Sequence, residues 1–128
     1  MTEKATQTLS KTTLENSEKS GYLIGGMRLL AEERADLYRV FSNDKRILIF
    51  WILMDEDMSV KAIAETVGTS MQNASQHLRL MRDKDIVRSR RSGNEVYYRV
   101  ADNEIGEFCR IILPIDPYAV NGGIEKAG

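Results

Sequence analysis

Apolar residues recur at helical spacing along most of this chain and switch to strict alternation over one short stretch past its middle. Val60, Ile63, Ala64 and Val67 follow Ser59 at a spacing of three and four. Ser59 suits a helix N-cap, and Gly68, which tolerates positive φ, suits its end. A second helical pattern starts at once. Ser70 is placed to cap it, Ala74, Leu78 and Met81 mark an inner face, and Gln72, Asn73, Gln76 and Arg79 are left on the outer one. After Ile86-Val87 the period falls to two. Val87, Ser89 and Arg91 lead into Ser92-Gly93-Asn94, and Val96, Tyr98 and Val100 then alternate with Glu95, Tyr97 and Arg99, as in a hairpin with a polar turn.

Upstream, Tyr22, Leu23, Met27, Leu30, Leu37, Tyr38 and Phe41 give a helical pattern that Gly25-Gly26 is expected to interrupt. Ser42-Asn43-Asp44 then cap a helix in which Ile47 to Met54 are eight consecutive apolar residues, too few for a bilayer and apolar on all sides, hence central. Downstream of the hairpin, Asp102 or Asn103 opens a last helix with Ile105, Phe108, Cys109, Ile112 and Leu113 on one stripe, and Pro114 and Pro117 end it. Residues 1–20 hold little to bury and read as a mobile N-terminal tail, with residues 118–128 as a flexible C-terminal one. The rest, 21–117, is expected to be one domain. It is mainly α, with about five helices and a small β-hairpin wing, the order of a winged helix-turn-helix.

That order carries a chemistry. Gln72, Asn73 and Gln76 bear amides, and Arg79 a guanidinium, which donate and accept in pairs against base edges in a major groove. Arg88, Arg90 and Arg91, expected at the tip of the hairpin, suit phosphates, which supply affinity but little sequence information. Ser70, Ser75 and Asn94 complete this candidate DNA-contacting set. Arg46, at the start of the apolar helix, reads either as a phosphate contact or as a helix-start ion pair with Asp44 or a nearby acid.

Overall charge points weakly the other way, since the 128 residues carry a net charge of −1. Its distribution reverses that. Residues 70–100 hold seven basic side chains (Arg79, Arg82, Lys84, Arg88, Arg90, Arg91, Arg99) and three acidic ones (Asp83, Asp85, Glu95), which leaves −5 for the remainder. With 42% apolar content the chain can build a modest core, and a folded part this small gains from dimerisation. The lack of a long apolar run, of a signal-peptide pattern and of a second cysteine leads to the expectation of a cytoplasmic protein with no membrane partner and no cofactor. An enzyme is not expected, because one His and one Cys on separate helices make no nucleophile-base pair.

The run SQHLRLMRDKDIVRSRRSGNEVYYRV, with LYRVFSNDKRILIFWIL upstream, resembles the ArsR/SmtB family of dimeric transcriptional repressors, over residues 30–113. The resemblance implies a homodimer that binds double-stranded operator DNA and is released by an inducer, which here would be an unknown small molecule or an oxidant. It places the dimer surface on the first and last helices, whose apolar faces otherwise lack a partner: Met27, Leu30 and Leu37 on one, Ile105, Phe108 and Ile112 on the other. It also gives His77 the role of a helix-packing or phosphate-contacting histidine. Asp85 stands where the family commonly has glycine, at a helix end that wants a left-handed residue.

The departures concern sensing. Where many members carry Cys-x-Cys, this chain has Ser59 and Lys61, and its last helix offers Asp102, Glu104 and Glu107 but no histidine, so no metal site is expected. Cys109 reads as a small hydrophobe of the dimer stripe or as a thiol redox sensor. A winged-helix module that binds protein and not DNA stays open as the alternative function, because fold does not fix function.

Overall fold

The computed structural model describes residues 2–116 and 118–120, and the chain divides into two compact units, Met1–Asp36 and Leu37–Gly128. The first unit is helical. Its helix, α1 (Thr2–Val40), starts well inside the segment expected to be a mobile tail and runs on without a break. Lys, Glu, Ala, Gln and Leu there are good helix formers, and the two glycines cost only about 1 kcal/mol each relative to Ala, so Gly25-Gly26 does not interrupt the helix as expected. Tyr22, Leu23, Ile24, Met27, Leu29 and Leu30 are all exposed within the chain.

The last turn of α1 belongs to the second unit. There follow α2 (Asp44–Leu53), β1 (Met58–Ser59), α3 (Val60–Val67), α4 (Met71–Asp83), β2 (Val87–Ser92), β3 (Glu95–Val100) and α5 (Glu104–Ile112). The strands form one antiparallel sheet in the order β1-β3-β2. The hairpin β2-β3 is the expected wing. Its third strand was not expected, since two residues are too short to show a period, yet Met58 and Ser59 pair with Tyr98 and Tyr97.

Helices α2 to α5 each begin on a side chain that accepts from one or two of their free N–H groups. Asn43 accepts from Lys45 and Arg46, Ser59 from Ala62, Ser70 from Asn73, and Asn103 from Gly106. Helices α3 and α4 also end alike. Gly68 (φ +78°) and Asp85 (φ +60°) are both left-handed, and the N–H groups of Thr69 and Ile86 reach back to the carbonyls of Ala64 and Met81. Asp tolerates at Asp85 what glycine does freely at Gly68, at a cost of about 1 kcal/mol.

Ile49, Phe50, Leu53, Ile63, Leu78, Met81, Ile86 and Val87 are fully buried and make the core, with Phe41 set edge-on against Phe50. Two residues assigned to the dimer stripe belong to this core. Leu37 is 2% exposed and Cys109 is 0% exposed, because the last turn of α1 and the inner side of α5 pack on the hydrophobic centre of their own chain. Ile105, Phe108 and Ile112 are half-buried against the same core, so the stripe of α5 does have an intrachain partner, contrary to expectation. Trp51 Nε1 donates to the Leu113 carbonyl at 2.9 Å, and both terminal nitrogens of Arg110 donate to the Met54 carbonyl at 3.3 Å. At the other end of α5, a Cβ on Gly106 would collide with the carbonyl of Ala101, so only glycine lets the helix start this close to the strand end. The expected C-terminal tail has a helical turn at 118–120, and its remainder, 121–128, lies outside the described residues.

Candidate nucleic-acid interface

Helix α4 is built to present one polar side. Ala74, Leu78 and Met81 are completely buried, which fixes the rotation of the helix and turns Gln72, Asn73, Gln76 and Arg79 to solvent. Ser70 sets where it starts, its hydroxyl occupied by the Asn73 N–H at 3.1 Å. Ser75 is half-buried and, with Asn94 and Lys61, lines a shallow cleft of about 270 Å³ between the starts of α3 and α4 and the wing turn. The wing turn is a two-residue loop between the paired Ser92 and Glu95, with Gly93 at φ +62° and Asn94 exposed beside it. The first turn of α4 and the wing turn thus border the same cleft.

The wing arginines are spread along the hairpin and do not all sit at its tip. Arg91 pairs with Val96 one rung from the turn, Arg90 with Tyr97, and Arg88 with Arg99 near the base. Arg90 is already engaged: its Nε lies 3.3 Å from Asp57, and its guanidinium lies 4.6 Å from the centre of the Tyr97 ring. The Tyr97 hydroxyl donates to Glu95 at 2.9 Å, and that bond to a carboxylate raises the phenol's pKa above its usual value. Arg88 and Arg91 are exposed.

Arg46 and His77 act as a pair. Arg46 Nε donates to the Val40 carbonyl at 2.6 Å, and Nη1 lies 3.2 Å from His77 Nδ1, so the neutral ring accepts through Nδ1 and carries its proton on Nε2. Partial burial, then the Arg46 charge, lower the pKa of His77, and burial also lowers that of Arg46. Arg46 forms no ion pair with Asp44, whose carboxylate instead accepts from the Lys45 N–H. The pair ties the last turn of α1 and the start of α2 to α4. His77 is a helix-packing residue in this arrangement.

Sequence reasoning counted Arg82 and Arg99 toward the charge of this region without giving either a place, and the structure sets both at the base of the wing, away from the first turn of α4. The register of the wing puts Arg99 opposite Arg88 and Tyr97 opposite Arg90. The alternation of Arg99 with Tyr97 was the available signal. Among the described residues, no three His, Cys, Asp or Glu side chains are grouped as metal ligands, and no helix is long and apolar enough to cross a membrane.

The comparisons agree with this geometry. A helix-turn-helix domain family matches residues 29–90. The crystal structure of NolR from Sinorhizobium fredii is 31% identical, with a TM-score of 0.58, and the match covers 70% of this chain and 94% of that one. The chain belongs to the ArsR/SmtB family of winged helix-turn-helix regulators. It is similar to the HTH-type transcriptional regulator KmtR of Mycobacterium tuberculosis, 34% identical over 70 residues, which is 55% of this chain and 54% of that protein. It thus spans about half the length of that relative. It is also similar to the homodimeric winged helix-turn-helix DNA-binding domain of an ArsR-family candidate from Mycobacterium bovis. That domain is 26% identical with a TM-score of 0.60, over 66% of this chain and 79% of that one.

Proposed function

We propose that this ArsR/SmtB-family chain is a transcriptional repressor that binds a palindromic operator as a homodimer, with α4 in the major groove and the wing along the phosphates. The observation that carries this reading is the outer side of α4, where a buried stripe of Ala74, Leu78 and Met81 leaves uncharged amides exposed beside an arginine-bearing hairpin. Solvated helix faces usually mix Lys and Glu. Amides at adjacent turns suit base recognition better, because each can donate and accept toward one base.

Dimerisation is supported by the six exposed apolar residues of α1 between Tyr22 and Leu30, and by the homodimeric state of the Mycobacterium bovis relative. Independence from transition metals is part of the reading. Its support is donor chemistry, since Ser59 and Lys61 offer no soft ligand. Cys109 acts as a packing residue in this account, because a thiol enclosed in the core does not meet an oxidant without local opening. Footprinting on DNA upstream of its own gene tests the reading. Protection of two half-sites about 34–36 Å apart, unchanged by Zn, Ni, Cd or Co, is the expected result. An unprotected upstream region, or release by a metal, contradicts it.

A further inference from the structure

The base of the wing holds a second concentration of charge, distinct from the reading end of α4. Four arginines, Arg82, Arg88, Arg90 and Arg99, line an open cleft of about 570 Å³ beside the end of α4 and the start of α5. Two carboxylates share it, Asp57 and Asp85, and Asp57 is occupied by Arg90. Arg88 and Arg99 are direct cross-strand partners, and among the described residues neither has an ion pair. Like charges at such a rung, about 4.5–5.5 Å apart at Cβ, oppose sheet pairing. An anion bridging them turns that repulsion into attraction.

Position separates this cleft from the DNA-reading end. The Arg88–Arg99 rung lies four residues from the Ser92–Glu95 rung that closes the turn, or about 13 Å at ~3.3 Å per residue. Arg82 lies ten residues along α4 from Gln72, or about 15 Å at ~1.5 Å per residue. Both the helix and the hairpin therefore place the cleft at the end remote from the Ser70 cap and the wing turn. We propose that it binds a small free polyanion bearing a phosphoryl or diphosphoryl group, gripped by the forks of Arg88 and Arg99 with Arg82 as a further donor. Guanidinium forks match phosphate oxygens in pairs, which lysines do not. This inference does not depend on DNA binding.

A DNA phosphate carries the same chemistry, so the experiment has two arms. In the first, inorganic pyrophosphate is titrated into the full chain by calorimetry at fixed ionic strength. Saturable binding of one pyrophosphate per chain is expected. Arg88→Gln and Arg99→Gln each weaken it at least about tenfold, Arg99→Lys weakens it less than Arg99→Gln, and Arg91→Gln, near the turn, leaves it unchanged. Thermal melting serves as the folding check, with pyrophosphate raising the midpoint of the parent and not of Arg99→Gln. In the second arm, affinity of Arg99→Gln for duplex DNA stays within about twofold of the parent, a change of under about 0.5 kcal/mol. Absence of saturable binding, or equal binding by the parent and Arg99→Gln, overturns the proposal. So does a loss of duplex affinity in Arg99→Gln with a salt slope shallower by about one and no pyrophosphate binding, which assigns these arginines to the DNA backbone.

Discussion

Two helices with apolar stripes meet different fates in this chain. The stripe of α5 lies half-buried on the core of its own chain, held by Trp51, Arg110 and the close approach at Gly106, whereas Tyr22 to Leu30 of α1 present their apolar side chains to solvent. An apolar stripe in the sequence therefore does not by itself mean availability for a partner. Substitutions on α5 should first damage the fold. Those on the exposed part of α1 should act on assembly alone.

The sharpest way to break this contrast is at Gly106. Gly106→Ala drives a methyl into the Ala101 carbonyl, a backbone atom that cannot swing away, and is expected to cost about 3 kcal/mol in urea unfolding. An unchanged midpoint would mean α5 is not seated as described. On the α1 side, Leu30→Glu should weaken dimerisation at least about tenfold, or about 1.4 kcal/mol, by sedimentation, while the unfolding midpoint extrapolated to monomer barely moves. Trp51→Phe removes the hydrogen bond to the Leu113 carbonyl together with part of a ring packed on the core, and should cost about 1–2 kcal/mol with the fold intact.

The smallest effect is titration at the held end of α1. His77 has a lowered pKa in the folded chain, so as pH falls the unfolded chain takes up the proton first. Its contribution to stability is complete above the ordinary imidazole value of about 6.5 and declines as pH drops below it. Urea midpoints at pH 7.5 and 5.5 should therefore differ more in the parent than in His77→Gln. An equal difference in both would detach the histidine from the Arg46 pair.

The sequence and the structure part company where contacts are distant in the chain. Caps at Ser59 and Ser70, the capping segments Ser42-Asn43-Asp44 and Asp102-Asn103, the end at Gly68 and the inner face of α4 were all legible, because each depends on residues within a turn or two of one another. The left-handed Asp85 was legible too, through the resemblance, which puts it where the family commonly has glycine. The docking of α5 was not, since it joins Trp51 to Leu113 and Met54 to Arg110 across more than fifty residues, and no local pattern carries that pairing. The same reason hid β1, the engagement of Arg90 with Asp57 and the Arg88–Arg99 rung, all of which depend on register between separated segments. Continuity of α1 through Gly25-Gly26 was missed differently, by weighting two glycines above the helix formers around them.

The account rests on the outer side of α4 reading bases, and fluorescence anisotropy with operator and scrambled duplexes at several salt concentrations tests that directly. Gln72→Ala and Gln76→Ala should each cost about 1–3 kcal/mol on the operator, with little change on scrambled DNA and an unaltered salt slope. Equal losses on both duplexes would contradict base reading by these side chains and reduce α4 to a positioning element.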